Sequence, residues 1–235
     1  MNMKKKIIGI LTAAMILSTE STIFAAQIDG DLTYEEGADI YVPTKEEKTL
    51  IEEKQAEVEK ISSKFGILSS QGVYKELNVP HYKQENEYYC GPATVKQTLQ
   101  YINNSSLSQT EYANKLGTTP AGTDMTKIAP LINTYVPSSK AYSYQSIGSF
   151  SHYLSSIYAA LCQNKPIIID MKAQDGDGWS YTTDGHFLNI SGINSNATIN
   201  KLKVTDPNST DSYNWYDSSI VYNVNNKHTR QAFIW

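Results

Sequence analysis

An α+β fold is what this sequence predicts, with helices first and an antiparallel sheet after them. Three observations point there. Apolar residues recur at helical spacing in the first part of the main domain, as in Val95, Leu99 and Ile102 at i, i+4 and i+7. Compact β-branched or alternating runs fill the later part, as in Pro166–Met171, Phe187–Ile193 and Lys201–Thr205. Polar turns rich in Asn, Ser and Gly separate these runs, Asn194-Ser195-Asn196-Ala197 among them.

The start of the chain reads as an export signal. Lys4-Lys5-Lys6 forms a charged head, Ile7 to Leu17 a short apolar run, and Phe24-Ala25-Ala26 precedes a change of composition. That run is too short to span a membrane, so residues 1–26 are expected to be a signal peptide, with cleavage after Ala25 favoured. No later run approaches spanning length, and no lipobox-like cysteine lies near the cleavage point. The expected location is therefore outside the cell or at its surface.

Charge divides what remains. Residues 27–72 hold eleven acids against five lysines, whereas residues 73–235 hold twelve acids and twelve bases. Nothing there forms the basic patch that nucleic acid or an anionic membrane would require. Thr44-Lys45-Glu46-Glu47 is a capping box, opening a charged helix to about Lys64 with Gly66 suited to its end. Its thin apolar stripe, Ile51, Val58, Ile61 and Phe65, calls for a partner. The segment 27–72 is then either a spacer or a pro-segment that packs on the following domain. The boundary falls at Ser69-Ser70-Gln71-Gly72.

The main domain begins near Val73. Val79-Pro80-His81-Tyr82 is extended, because the residue before proline avoids the helical region. Pro92 suits the first turn of the next helix, and Asn103-Asn104-Ser105-Ser106 ends it. Ser108-Gln109-Thr110-Glu111 is a second capping box, for a helix stopping at Gly117. Thr123 is expected to cap a third, with Ile128, Leu131 and Ile132 inward and Pro137 beyond its end. Phe150, Tyr153, Leu154, Ile157 and Leu161 mark a fourth. Residues 172–184 read as a polar loop, and Val221-Tyr222 and Phe233-Ile234-Trp235 as late strands.

Chemistry concentrates at Cys90. It sits at the mouth of a helix, where unpaired amides and the positive end of the dipole favour negative charge. A thiolate, the nucleophilic form, is favoured in such a place. Gln84, six residues upstream, can supply an amide which, with the Cys90 N–H, gives two donors to a developing oxyanion. A thiol nucleophile needs a base and the base an orienting group. Of four histidines, His152 and His228 read as surface residues, and His81 lies in the extended arm. His186 opens a strand after a flexible loop. Asp206 ends the next strand, so pairing of the two strands brings a carboxylate beside the imidazole. Read structurally, the same residues are a buried cysteine, an edge histidine and a turn-initiating Asp-Pro.

Cys-Gly-Pro-Ala with Gln84 before it, then Gly-His-Phe-Leu-Asn-Ile, then Val-Thr-Asp-Pro, occur in that order over residues 77–210. This ordered set resembles the bacteriocin-processing cysteine peptidases, which cut leaders after a double glycine, and their standalone secreted relatives in the papain-like superfamily. The resemblance implies a papain-like fold, with Cys90 as nucleophile, His186 as base, Asp206 as orienter and Gln84 as oxyanion donor. It implies a peptide or protein substrate and no metal or cofactor. The best-known members are fused to a membrane exporter. Here an export signal stands in place of a transporter, so their substrate does not carry over. An amidase of cell-wall peptides would use the same triad, and a non-catalytic surface-binding module would use the same fold.

Two further features read as structural. Asp175-Gly176-Asp177-Gly178 alternates carboxylates but lacks the downstream Glu of a calcium loop. Cys162 is expected to be a buried thiol rather than a disulfide partner of Cys90.

Overall fold

The computed structural model describes residues 41–235. The expected signal peptide and the start of the acidic segment lie outside the described residues, as does the side chain of Phe65. The elements follow the order α1 (Lys45–Gln71), β1 (Val73–Glu76), α2 (Cys90–Asn103), α3 (Gln109–Leu116), α4 (Ile128–Asn133), β2 (Tyr144–Ser146), α5 (Phe150–Cys162), β3 (Ile167–Ala173), β4 (Thr183–Ser195), β5 (Asn200–Thr205), β6 (Asn214–Asp217), α6 (Ser218–Lys227) and β7 (Ala232–Ile234). The seven strands form one antiparallel sheet in the order β2-β7-β3-β4-β5-β6, with β1 also paired to β4. The α+β expectation holds.

Alternation along β3 and β4 sends side chains to two cores. Ile167, Ile169, Leu188 and Ile190 join α5 through Tyr153, Leu154, Ile157 and Leu161. Ile168, Phe187 and Ile234 join α2, α3 and α4 through Val95, Leu99, Tyr112, Ile128 and Ile132. A buried polar joint fixes the position of α2 along β4. Asn189 donates to Thr94 O at 3.2 Å and to Gln97 Oε1 at 3.0 Å, and accepts from Thr98 Oγ1 at 2.8 Å. Thr94 Oγ1 in turn donates to Phe187 O at 3.1 Å.

The helix caps follow the sequence in most places. Ser108 and Glu111 form the capping box of α3, and Gly117 ends it at φ 67. Thr44 and Glu47 exchange their capping bonds at the start of α1. That helix passes Gly66, however, and stops only at Gln71, where Gly72 takes φ 96. Asp124, not Thr123, caps the turn leading into α4, accepting from Thr126 N at 3.0 Å. Val221-Tyr222 is helical rather than a strand. Val221, Val224 and Asn225 are buried at i, i+3 and i+4, and Asn225 donates to Asp170 O and Ala232 O, capping the join of β3 and β7. β2 and β6, too short for alternation to reveal, complete the sheet edges.

The stripe on α1 finds its partner in α5. Ile51 and Val58 are buried, and Ile61 packs partly against the same core. Lys54 is buried between them and donates to Ala141 O at 3.0 Å and to the Trp235 backbone oxygen. Burial, with Lys165 beside it, holds the Lys54 amine well below its ordinary range. Glu57 accepts from Gln163 Nε2 at 2.6 Å. Among the described residues, no helix is long and apolar enough to cross a membrane.

Candidate active site

Local sequence explains how each group reaches the site. No side chain caps the N-terminus of α2, so the first amides of the helix, Cys90 and Gly91, remain available. Gly91 is required there, because a β-carbon would lie 2.5 Å from Thr123 Oγ1. Cys90 itself is 7% exposed. β4 and β5 pair in the register Asn189↔Thr205, which brings the end of β5 beside the start of β4. His186 and Asp206 meet as that register dictates, with His186 Nε2 2.7 Å from Asp206 Oδ1. The Cys90 thiol lies close enough to the imidazole to favour its charged form. With Nε2 committed to Asp206, Nδ1 is left for the thiol.

The electrostatics favour a charged pair. His186 and Asp206 are 5% and 4% exposed. Burial would lower the His186 pKa, but the hydrogen bond to Asp206 and the nearby Cys90 thiol outweigh it and push it up to about 10. Burial would raise that of Asp206, but the bonds from His186, Tyr181 and the Asn208 amide hold its carboxyl below the usual range. The imidazole is therefore a cation at neutral pH, held by an anion.

Gln84 is placed by the same turn. Its backbone N–H donates to Pro207 O at 2.9 Å, tying the extended arm to the Asp-Pro step. Its amide nitrogen donates to Asn86 O at 2.8 Å and Glu87 O at 3.2 Å, both in its own loop. His81 does not reach the thiol's base position. Its ring meets Asp206 O at 2.9 Å and braces the turn from the arm side.

Several residues differ from expectation. Tyr181, in the stretch that reads as a polar loop, donates to Asp206 Oδ2 at 2.6 Å and meets the His186 ring edge-on at 5.7 Å between centroids. Its contact spans 25 residues, and no local pattern marks it. His228 is not a surface residue. It is half-buried, with Nε2 3.6 Å from Asp170 Oδ2, because α6 folds its end back over β3. His152, likewise expected outside, is half-buried, and burial lowers its pKa. Cys162 is a free, exposed thiol on the last turn of α5, where Leu161 and not its neighbour faces the core. Asp177 accepts from Gln174 N and pairs with Lys227, and no cluster able to hold a metal occurs among the described residues.

The fold has solved counterparts. A Bacillus anthracis protein described as a C39-like peptidase superposes with a TM-score of 0.51 at 14% identity, covering 69% of this chain and 96% of its own. The peptidase domain of Streptococcus ComA, a bi-functional ABC transporter of a quorum-sensing pathway, gives 0.43 at 15% identity, over 67% of this chain and 96% of its own. Digestive procathepsin L 3 of Tenebrio molitor gives 0.40 at 13% identity, over 83% of this chain and 94% of its own. No curated protein matches the sequence. Residues 76–233, which carry Gln84, Cys90, His186 and Asp206, match the model of the Peptidase_C39 like family. That match spans more than half of the chain, and on it the chain belongs to the Peptidase_C39 like family.

Proposed function

We propose that this chain is a secreted cysteine peptidase working through Cys90, His186 and Asp206. The observation that carries the reading is the 2.7 Å bond from His186 to Asp206 with the thiol of the α2 N-terminus beside the same imidazole. In this reading the Cys90 thiolate attacks the substrate carbonyl while the His186 imidazolium stands beside it. Negative charge on the carbonyl oxygen is met by the Cys90 N–H and by the Gln84 amide, which releases the longer of its two loop bonds, that to Glu87 O. His186 gives its proton to the leaving amine, then takes one from the water that frees the acyl group. Asp206 holds the ring in the required orientation throughout. Export is supported by the Lys4–Lys6 head and the apolar run behind it.

Residues 27–72 are proposed as an accessory segment of the domain formed by residues 73–235. Among the described residues, its helix docks on α5 and on the Ala141 and Trp235 backbone oxygens. That placement supports a brace more than a plug. The test of the function is hydrolysis of a mixed peptide pool followed by mass spectrometry. The chain is expected to generate new termini, and Cys90→Ala and His186→Ala to generate none while keeping the native circular dichroism. Equal product from Cys90→Ala would end the reading.

A further inference from the structure

Asp206 is held from more sides than a triad requires. His186 Nε2 and the Asn208 amide share Oδ1, at 2.7 and 2.8 Å. The other oxygen, Oδ2, is taken by the Tyr181 hydroxyl at 2.6 Å. His81 secures the residue's backbone carbonyl at 2.9 Å. Each carboxylate oxygen thus has a donor, and the plane of the carboxylate is fixed by contacts from a strand, a loop and a turn.

Tyr181 is itself held by aromatic packing. Trp179 stacks on Tyr216 with ring centroids 4.1 Å apart at 12° and meets Tyr181 edge-on at 6.2 Å. Ser180 Oγ lies 3.0 Å from Tyr216 Oη. Tyr216 belongs to β6, whose neighbour β5 leads directly into Asp206. The loop between β3 and β4 is therefore clamped to the strand pair that carries the carboxylate. The Tyr181 ring also covers one edge of the His186–Asp206 pair.

We infer that Tyr181 is a positioning residue for the reaction, fixing the Asp206 carboxylate and shielding its bond to His186, with Trp179 and Tyr216 as the clamp that seats it. The inference rests on the peptidase reading above but deepens it at a residue outside the triad. Tyr181 touches no reacting atom. It acts through Asp206, which in turn acts through His186. The hydroxyl stabilises the anionic form of a carboxyl otherwise pushed up by burial. The groups facing that carboxyl are His186 from β4, Tyr181 from the loop, the Asn208 amide from the turn and the His81 ring on its carbonyl.

The test is Tyr181→Phe in the full chain, which keeps the ring and its packing and removes one hydrogen bond. A hydrogen bond to a charged group is strong enough for its loss to lower kcat by about tenfold. KM should stay within about twofold, because no substrate contact is lost. The acid limb of the rate profile should move towards neutrality, because Asp206 loses a donor to its charged form. A second readout does not need turnover. The His186 ring signals in NMR report the acid titration of Asp206, and their midpoint should rise by about one pH unit in Tyr181→Phe. Trp179→Leu, which loosens the clamp and spares the hydroxyl, should show a smaller shift of the same sign. Unchanged kcat and an unchanged His186 titration in Tyr181→Phe would overturn the inference. A chain that cleaves no peptide but shows the titration shift would overturn the peptidase reading and leave the Tyr181–Asp206 coupling standing.

Discussion

His186 Nε2 shares Asp206 Oδ1 with the Asn208 backbone amide, at 2.7 and 2.8 Å. One oxygen thus orients the imidazole and anchors the Asp-Pro turn. The imidazole is held by a group that cannot swing away without breaking the turn. This coupling makes the pH dependence of the site a direct consequence of its geometry.

Asp206→Asn keeps the shape and removes the charge. His186, pushed up to about 10 in the intact site, should then fall towards or below its ordinary 6.5, because burial is no longer outweighed. The rate of the intact chain should hold on the alkaline side until near pH 10 and fall as the imidazolium deprotonates. In Asp206→Asn the fall should come some pH units lower, with kcat at the plateau reduced less than in His186→Ala. Stability follows with the opposite limb for each partner. The raised His186 pKa contributes stability that is present below about 6.5 and lost as pH rises through about 10. The depressed Asp206 pKa contributes stability that is present above its ordinary 3.8 and lost as pH falls through the acid range. Denaturant titrations across pH should show both slopes weakened in the variant.

Asn189 joins the two halves of the site. It is fully buried, and its three bonds to Thr94, Gln97 and Thr98 set where α2, and so Cys90, sits along β4. Asn189→Leu removes those bonds and leaves Gln97 Oε1 without its Asn189 donor in the core. A loss of about 2–4 kcal/mol in unfolding free energy is expected, from unpaired polar groups and lost bonds together. Activity should fall further than stability alone explains, because the thiol loses its register against His186. Thermal unfolding and kcat measured on the same preparation check both.

Much of this was legible in the sequence, and the reasons are physical. Cys90 and its helix are marked by local signals: proline in the first turn and an apolar stripe behind it. His186 and Asp206 were legible as a pair because two strands joined by a short turn must place one end beside the other. Ser108 and Glu111 announce their cap within four residues. The failures are of other kinds. Val221-Tyr222 carries β-propensity, but Val221, Val224 and Asn225 are recruited as one helical face by β3 and the core shared with α5. Cys162 follows a buried Leu161, yet one step along a helix turns the side chain by about 100° and out of the core. His228 and Tyr181 acquire partners 58 and 25 positions away, at Asp170 and Asp206. Only tertiary pairing supplies such contacts.

The docking of α1 on α5 predicts what happens without it. A chain beginning at Val73 loses the burial of Ile51 and Val58 and uncovers the face of α5 that α1 covers. Roughly 3–6 kcal/mol of stability should go with them, at about 1.5–3 kcal/mol per buried aliphatic side chain. Turnover per folded molecule should not rise, and residues 27–72 added in trans should restore stability rather than slow the reaction. A faster shortened chain, slowed again by the added segment, would show instead that the segment restrains the site. Chemical denaturation and initial rates on the two chains decide between them.

The central claim is that His186 and the α2 N-terminus activate Cys90, and the two thiols of this chain offer a direct measurement. Cys90 is buried and Cys162 is exposed. Access alone would therefore make Cys162 the faster to alkylate, whereas activation reverses the order. The measurement is the rate at which a small electrophile such as iodoacetamide labels each cysteine at pH 7, read by peptide mass spectrometry. The account predicts that Cys90 is labelled at least tenfold faster than Cys162, and that His186→Ala abolishes the difference. Faster labelling of Cys162, or Cys90 labelling that His186→Ala leaves unchanged, would contradict it.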